Sequence, residues 1–336
     1  MNCASIRIDV ELNDVLKCAG DVLALKHAQD LFGVDLTVVR RLESHGVMSE
    51  DDLPLPSGSR IFPTNGAIWA PTVLFIGTKA IWQFGYQDIR DFARRTLEVL
   101  SEVKPDTQTL LVTLHGAGFG FDEIEAFESE VAGFVDAIQS GKYPTSLQSI
   151  KVIEHNLERV KRLQTTLAEL LPDNIIPSLT PDATTQLSDR SADKLRSVGY
   201  DSASKPFVFV AMPFTDDMDD VFYYGIQQPI KNAGFLCERA DELIFTGDIM
   251  ERVRNRIEHA TYVVADLTGA NPNVYLEVGY AWGIRRPTIL LVNDSDSLTF
   301  DVRGHRCLVY KRIKDLEDML AKELAGLEED RRQKTR

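Results

Sequence analysis

Two carboxylates in the last third of the chain are placed for chemistry. Asp266 closes a strand-length apolar run, 261–265, and Glu277 stands about one and a half turns into a helical pattern that opens at Pro272. The end of a buried strand is the rim at which open α/β sheets bind ligands. A carboxylate on the apolar side of a helix is expensive to bury without a partner. Groups so placed are the ones that nucleophilic and acid–base chemistry use. For Glu277 the plain alternative is an ion pair with Arg285. Asn273, Glu277, Tyr280 and Ala281 share one helix face, and Asn273 reads either as a group orienting Glu277 or as a cap of its own helix. Arg239, Asp241 and Glu242 follow the second strand of this region toward the same cleft. Arg239 reads as a phosphate contact, because a guanidinium grips phosphate in two-pronged fashion, or as a surface ion pair with Asp241.

A second candidate lies in the first half. The run HGAGFG, 115–120, joins a strand to a helix, and glycines there expose backbone N–H groups to an anion such as a pyrophosphate. His115, Gly116, Gly118, Gly120 and Asp21, with His27, are the residues expected to line it, and His115 reads equally as a satisfied buried histidine. The same glycines also serve a simple turn.

The elements that must position these groups follow from periodicity. Phe207–Val210, 261–265 and Thr288–Val292 are strand-length apolar runs. A helix over 221–233 ends at Gly234, and Ile249, Val253, Ile257 and Ala260 recur at helical spacing. That βαβαβ order predicts a flavodoxin-like, doubly wound parallel sheet. The first half alternates in the same way. A strand spans 109–114, and Ile124, Phe127, Val131, Phe134, Val135 and Ile138 form one buried helix stripe. Between the halves, 173–204 is rich in Pro, Ser, Thr and Asp and reads as a linker. The expectation is two α/β domains, 1–172 and 205–328, with a charged tail over 329–336.

In the second domain NPNVYLEVGYA (271–281), preceded by VVADLTG (263–269), resembles the nucleoside 2-deoxyribosyltransferase superfamily. Its flavodoxin-like fold is related in architecture to Toll/interleukin-receptor-like nucleotide-cleaving domains. The resemblance extends through FVAMPF (209–214), CERADEL (237–243), helix 248–260 and FDVRGHRCLVY (300–310), so it covers residues 205 to 312. Val278 stands where Leu is common. The resemblance implies hydrolysis or transfer at an N-glycosidic bond of a nucleoside, a nucleotide or NAD. Glu277 would be the nucleophile, and Asp266 would contact the sugar or assist proton transfer to the leaving base. Met212 and Phe214 would lie against base or ribose, or pack as core. Arg239, Asp241, Asn273 and Tyr280 complete the expected binding set. No cofactor and no metal are implied, and a homo-oligomer is.

The first domain looks like a divergent macro-type domain, similar also to the N-terminal domain of leucine aminopeptidases, through HGAGFGFDEIEAF (115–127) and 13–35. It lacks the asparagine-rich motif of hydrolytic macro domains, which implies binding of a nucleotide-derived signal without turnover. Such a sensor joined to a nucleotide-cleaving effector suggests bacterial antiviral defence or stress signalling. A non-catalytic nucleotide-binding module and a housekeeping salvage transferase are the alternatives.

Composition sets the outer limits. Asp and Glu number 51 against 37 Lys and Arg, a net charge of −14, which repels a nucleic-acid backbone on average. No apolar run approaches the ~20 residues that span a bilayer. The four cysteines are scattered, with no His at metal-ligand spacing, as in a reduced cytoplasmic protein.

Overall fold

The computed structural model describes residues 6–117, 119–176, 188–239, 247–293, 302 and 304–334. The chain divides into two compact units, each α/β. One comprises 1–117 and 123–203; the other comprises 118–122 and 204–336.

The first unit contains β1 (Ile6–Leu12), β2 (Val22–His27), α1 (Gly33–Ser44), β3 (Ser59–Pro63), β4 (Thr72–Gly77), α2 (Tyr86–Val103), β5 (Thr109–Thr113), α3 (Glu123–Gln139), β6 (Ser149–Glu154), α4 (Leu157–Leu170), β7 (Ile175–Ile176) and α5 (Asp189–Ser197). Its seven strands lie in the order β3-β4-β2-β5-β6-β1-β7. The five inner strands run parallel, and β3 and β7 close the edges antiparallel. Inner strands covered on both faces read as unbroken apolar runs, as in Val73–Ile76.

The stripe read from the sequence on α3 is in the core, Ile124 at its margin. The helix is enclosed on its other sides as well. Glu123, Glu125, Glu128 and Glu130 are all buried. They are held by Arg159 and Arg162, by the Ser202 hydroxyl, by Lys194 and by His115 respectively. Gly133 lets α2 approach closely: a Cβ there would stand 2.1 Å from the carbonyl oxygen of Arg90 and 2.8 Å from Cβ of Ala93. Gly133→Ala should therefore push α2 and α3 apart and destabilise the first unit by about 1–3 kcal/mol, read as a lowered denaturation midpoint. An unchanged midpoint would show that the crossing yields without strain.

The stretch read as a linker contributes α5, and Leu195 and Val198 enter the first unit's core. Two apolar residues give no visible period, and much of the docking is polar, so hydrophobic patterning did not reveal it. Residues 177–187 lie outside the described residues.

The second unit contains β8 (Phe207–Ala211), a π-helical turn (Val221–Gln227) continuing into α6 (Gln228–Asn232), β9 (Leu236–Arg239), α7 (Gly247–His259), β10 (Tyr262–Asp266), α8 (Pro272–Gly283), β11 (Thr288–Val292), β12 (Cys307–Val309) and α9 (Ile313–Lys334). The sheet order is β12-β11-β10-β8-β9, and every pairing is parallel. Counted from β8 this is 2-1-3-4-5, the flavodoxin-like order. The residues read as a charged tail continue α9 as far as Lys334. Successive strand residues serve opposite faces. Val208, Val210 and Val264 pack with α6 and α9, whereas Phe209, Val263 and Ala265 pack with α7 and α8.

The short segment 118–122 belongs to this unit although its neighbours in sequence belong to the other. Asp122 is buried, accepts from the backbone N–H of Cys237 on the edge strand β9 at 3.1 Å, and pairs with Lys231 at 3.1 Å. Arg252 of α7 donates to the carbonyl of Phe119 at 2.9 Å and lies 4.4 Å over the Phe121 ring.

Candidate functional site

In a 2-1-3-4-5 sheet the chain leaves β8 toward one side and returns to β10 on the other. The helices that follow these strands cover opposite faces, which opens a crevice beyond their carboxyl ends. Here the flanking groups are Met212, just past β8, and Asp266, the last residue of β10. Ala211 and Ala265 are register partners, so the next residues, Met212 and Asp266, stand side by side.

Asp266 is fully enclosed. The Tyr310 hydroxyl donates to its Oδ2 at 2.8 Å, and the backbone N–H of Thr268 donates to its Oδ1 at 3.0 Å. Thr268 Oγ1 in turn accepts from the N–H of Asn293 at 3.1 Å. These bonds tie together the chain just beyond β10, β11 and β12. Burial pushes the Asp266 carboxyl above its usual range, and the two donors oppose that rise. Burial and the neighbouring carboxylate also push the Tyr310 phenol up. In the sequence Tyr310 is merely the last residue of FDVRGHRCLVY; the parallel pairing of β12 with β11 brings it to Asp266.

Arg239 ends β9. Its guanidinium is held between two rings, 4.3 Å from the centroid of Phe214 and 4.0 Å from that of Phe222, the latter on the π-helical turn. Asp219 lies 3.9 Å away and Met212 Sδ lies 3.9 Å away. Met212, Phe214 and Arg239 therefore form one cluster, with Met212 buried in the core and Phe214 half-buried. The ion-pair partner expected for Arg239, Asp241, lies outside the described residues.

Glu277 is half-buried on α8, whose inward face is Val274, Val278 and Ala281. The cap of this helix is Asn271: its side chain accepts from the N–H of Asn273 at 2.9 Å, so Asn273 does not cap it. Tyr280 turns away toward α7, donating to Glu258.

In the first unit the direction of winding reverses between β2 and β5. Beyond their carboxyl ends gathers a second cluster. Lys26 Nζ and Asp35 Oδ2 pair at 2.7 Å, and His115 Nδ1 and Glu130 Oε1 share a hydrogen bond of 3.1 Å. All four side chains are buried, and the His115 ring lies 4.2 Å from that of Phe92. Asp35 Oδ1, His115 Nε2 and Glu130 Oε2 have no hydrogen-bond partner among the described residues. Burial drives the His115 imidazole well below its usual 6.5 and the Glu130 carboxyl well above its usual 4.5.

The depressed imidazole has a consequence for stability. The folded state holds His115 neutral while the unfolded state takes up a proton below 6.5, so its contribution is complete above that value and lost as pH falls through it. Because the buried Glu130 carboxyl works in the opposite sense, on going from about pH 7 to about pH 5 the melting temperature should fall further, or rise less, than it does in His115→Gln. An equal change in both proteins would overturn this.

Gly116 and Gly120 turn the loop with φ of +90° and +94°. Gly118 lies outside the described residues. Asp21 does not join this loop. It precedes β2 and accepts from the N–H groups of Gln108 and Thr109 at 2.7 and 2.8 Å, whereas His115 follows the far end of the parallel strand β5. The first turn of α3, where a pyrophosphate would sit, carries the buried carboxylates Glu123 and Glu125. Like charges there disfavour the anion that the glycines suggested.

Fold and site together define a pair of α/β units, each with polar groups at its switch point. No family model matches the chain, and neither does any curated protein. Among solved structures it is similar to a Trypanosoma brucei macrodomain in complex with ADP, at 13% identity over 48% of this chain and 68% of that one, with a TM-score of 0.37. It is similar also to a bottromycin maturation enzyme, at 13% identity over 91% of this chain and 89% of that one, with a TM-score of 0.29. Neither likeness assigns an activity to this chain. No helix among the described residues is long and apolar enough to cross a membrane.

Proposed function

We propose that the second unit breaks the N-glycosidic bond of a nucleoside, a nucleotide or NAD, by hydrolysis or by transfer. In this reading the Glu277 carboxylate attacks the anomeric carbon, the bonding pair leaves with the base, and water or an acceptor base later resolves the glycosyl ester. Asp266 supplies the proton that a neutral base takes as it leaves; the nicotinamide of NAD, cationic while bound, departs neutral without one. The first unit holds the regulating ligand at its own switch point, where Lys26, Asp35, His115 and Glu130 gather. A sensor–effector role in bacterial defence or stress signalling is the wider form of the same reading.

The observation that carries this is the crevice of the 2-1-3-4-5 sheet. It is flanked by Asp266 and by the Met212–Phe214–Arg239 cluster, and α8, the helix bearing Glu277, follows the strand that Asp266 ends. The sequence resemblance supplies the chemistry. The test is to incubate the full-length protein with deoxynucleosides, nucleosides, their 5′-monophosphates and NAD, and to separate free base by chromatography. Base release from any class supports the reading and names the substrate. No release, together with saturable binding of a nucleotide, would replace it with the binding-module alternative.

A further inference from the structure

Resting on that reading, we infer that Tyr310 is a positioning residue: with the Thr268 amide it holds Asp266 as proton donor to the departing base, so the substrate carries a neutral base that cannot leave without a proton. The geometry motivates this more than any one group does. Asp266 is wholly enclosed, yet both its oxygens are met by donors, one from just beyond β10 and one from just beyond β12. An ionisable group kept out of water at a crevice mouth is suited to giving up and regaining a proton.

The proton balance is simple. As the C1′–N bond breaks, its electron pair goes to the base, the Asp266 proton passes to a ring nitrogen, and Asp266 becomes a carboxylate. The phenol and the Thr268 N–H then stabilise that carboxylate. Water or an acceptor base entering at C1′ gives up a proton in the second step, and Asp266 takes it back. A base that is already cationic, as in a 7-methylpurine nucleoside or a nicotinamide nucleotide, leaves as a neutral molecule and needs no such donor. The groups acting on the pair are Thr268 and Tyr310 at Asp266, and Asp266, Thr268 and the carboxylate of Asp217 at Tyr310.

The experiment compares 2′-deoxyguanosine with 7-methyl-2′-deoxyguanosine, each as nucleoside and 5′-monophosphate, in the full-length protein and in Tyr310→Phe, Asp266→Asn and Glu277→Gln, all checked for native melting. On the neutral base, kcat should fall on the order of 10²-fold in Asp266→Asn and about tenfold in Tyr310→Phe. On the methylated base both losses should be at least several-fold smaller. Removing the phenol takes a donor from the ionised form of Asp266, which raises its pKa. The alkaline limb of the kcat profile on the neutral base should therefore move to higher pH in Tyr310→Phe. Equal losses on both bases, or an unmoved alkaline limb, would overturn the inference while leaving Glu277 chemistry standing. Turnover that survives Glu277→Gln, or no base released from these four or from the wider panel of nucleosides, nucleotides and NAD, would overturn the parent reading and the inference together; release from NAD alone would overturn the inference and leave the parent reading standing.

Discussion

Glu277→Gln is expected to leave a normally folded protein that has lost base release by about 10³-fold or more. The side chain is half-buried on the flank of α8, beside the buried row of Val274, Val278 and Ala281. Glutamine has the same shape and keeps that packing, so stability should change by no more than about 0.5 kcal/mol. An amide cannot form the glycosyl ester, and water attacking directly has no comparable route. The comparison needs two readings of one sample, a melting curve and a free-base chromatogram. Unchanged melting with lost turnover identifies a chemical role. Lost turnover with a lowered melting point would return Glu277 to the ion-pair alternative.

The largest effect on stability is expected at Arg90. Its buried guanidinium binds Asp136 through Nε and Nη2 at 2.7 and 2.8 Å. It also donates to the carbonyl of Val198 at 2.5 Å and lies 4.1 Å from the ring centroid of Tyr200. One side chain of α2 thus fastens both α3 and the chain that follows α5. Arg90→Met fills similar volume but strands a carboxylate and a carbonyl, so the loss should be about 3–5 kcal/mol, or on the order of ten degrees of melting temperature. Limited proteolysis should cut first near 198–203. Asp136→Leu added to Arg90→Met should restore part of the loss, because no unpaired charge then remains. A single-variant loss below about 1 kcal/mol would mean that the contacts are replaced by water.

Much of the fold could be read from residue patterns because apolar burial generates them. The run Thr288–Val292 is β11 without adjustment, α8 opens at Pro272, and the α3 stripe is core. What could not be read was polar. Glu125, Glu128 and Glu130 look like the solvated side of an acidic helix, and their partners Ser202, Lys194 and His115 come from distant parts of the chain. Asp21 and the glycine loop seemed to belong together only because strand direction, which separates them, is absent from a local reading. At the candidate site, Asp266 was visible as a strand-end carboxylate. Tyr310 was not, since only the parallel pairing of the last two strands brings its hydroxyl to that carboxyl.

The way 118–122 belongs to the second unit bears on how this protein can be taken apart or recombined. The second unit is not one uninterrupted stretch of gene. A coding fragment for 204–336 alone would omit the carboxylate that serves the Cys237 amide and Lys231 and the carbonyl that serves Arg252, and would bare one edge of the sheet. Shuffling that joins this second unit to a different partner by a single crossover would carry the same defect. A viable exchange must bring a substitute for those five residues, so the two halves are expected to be inherited together.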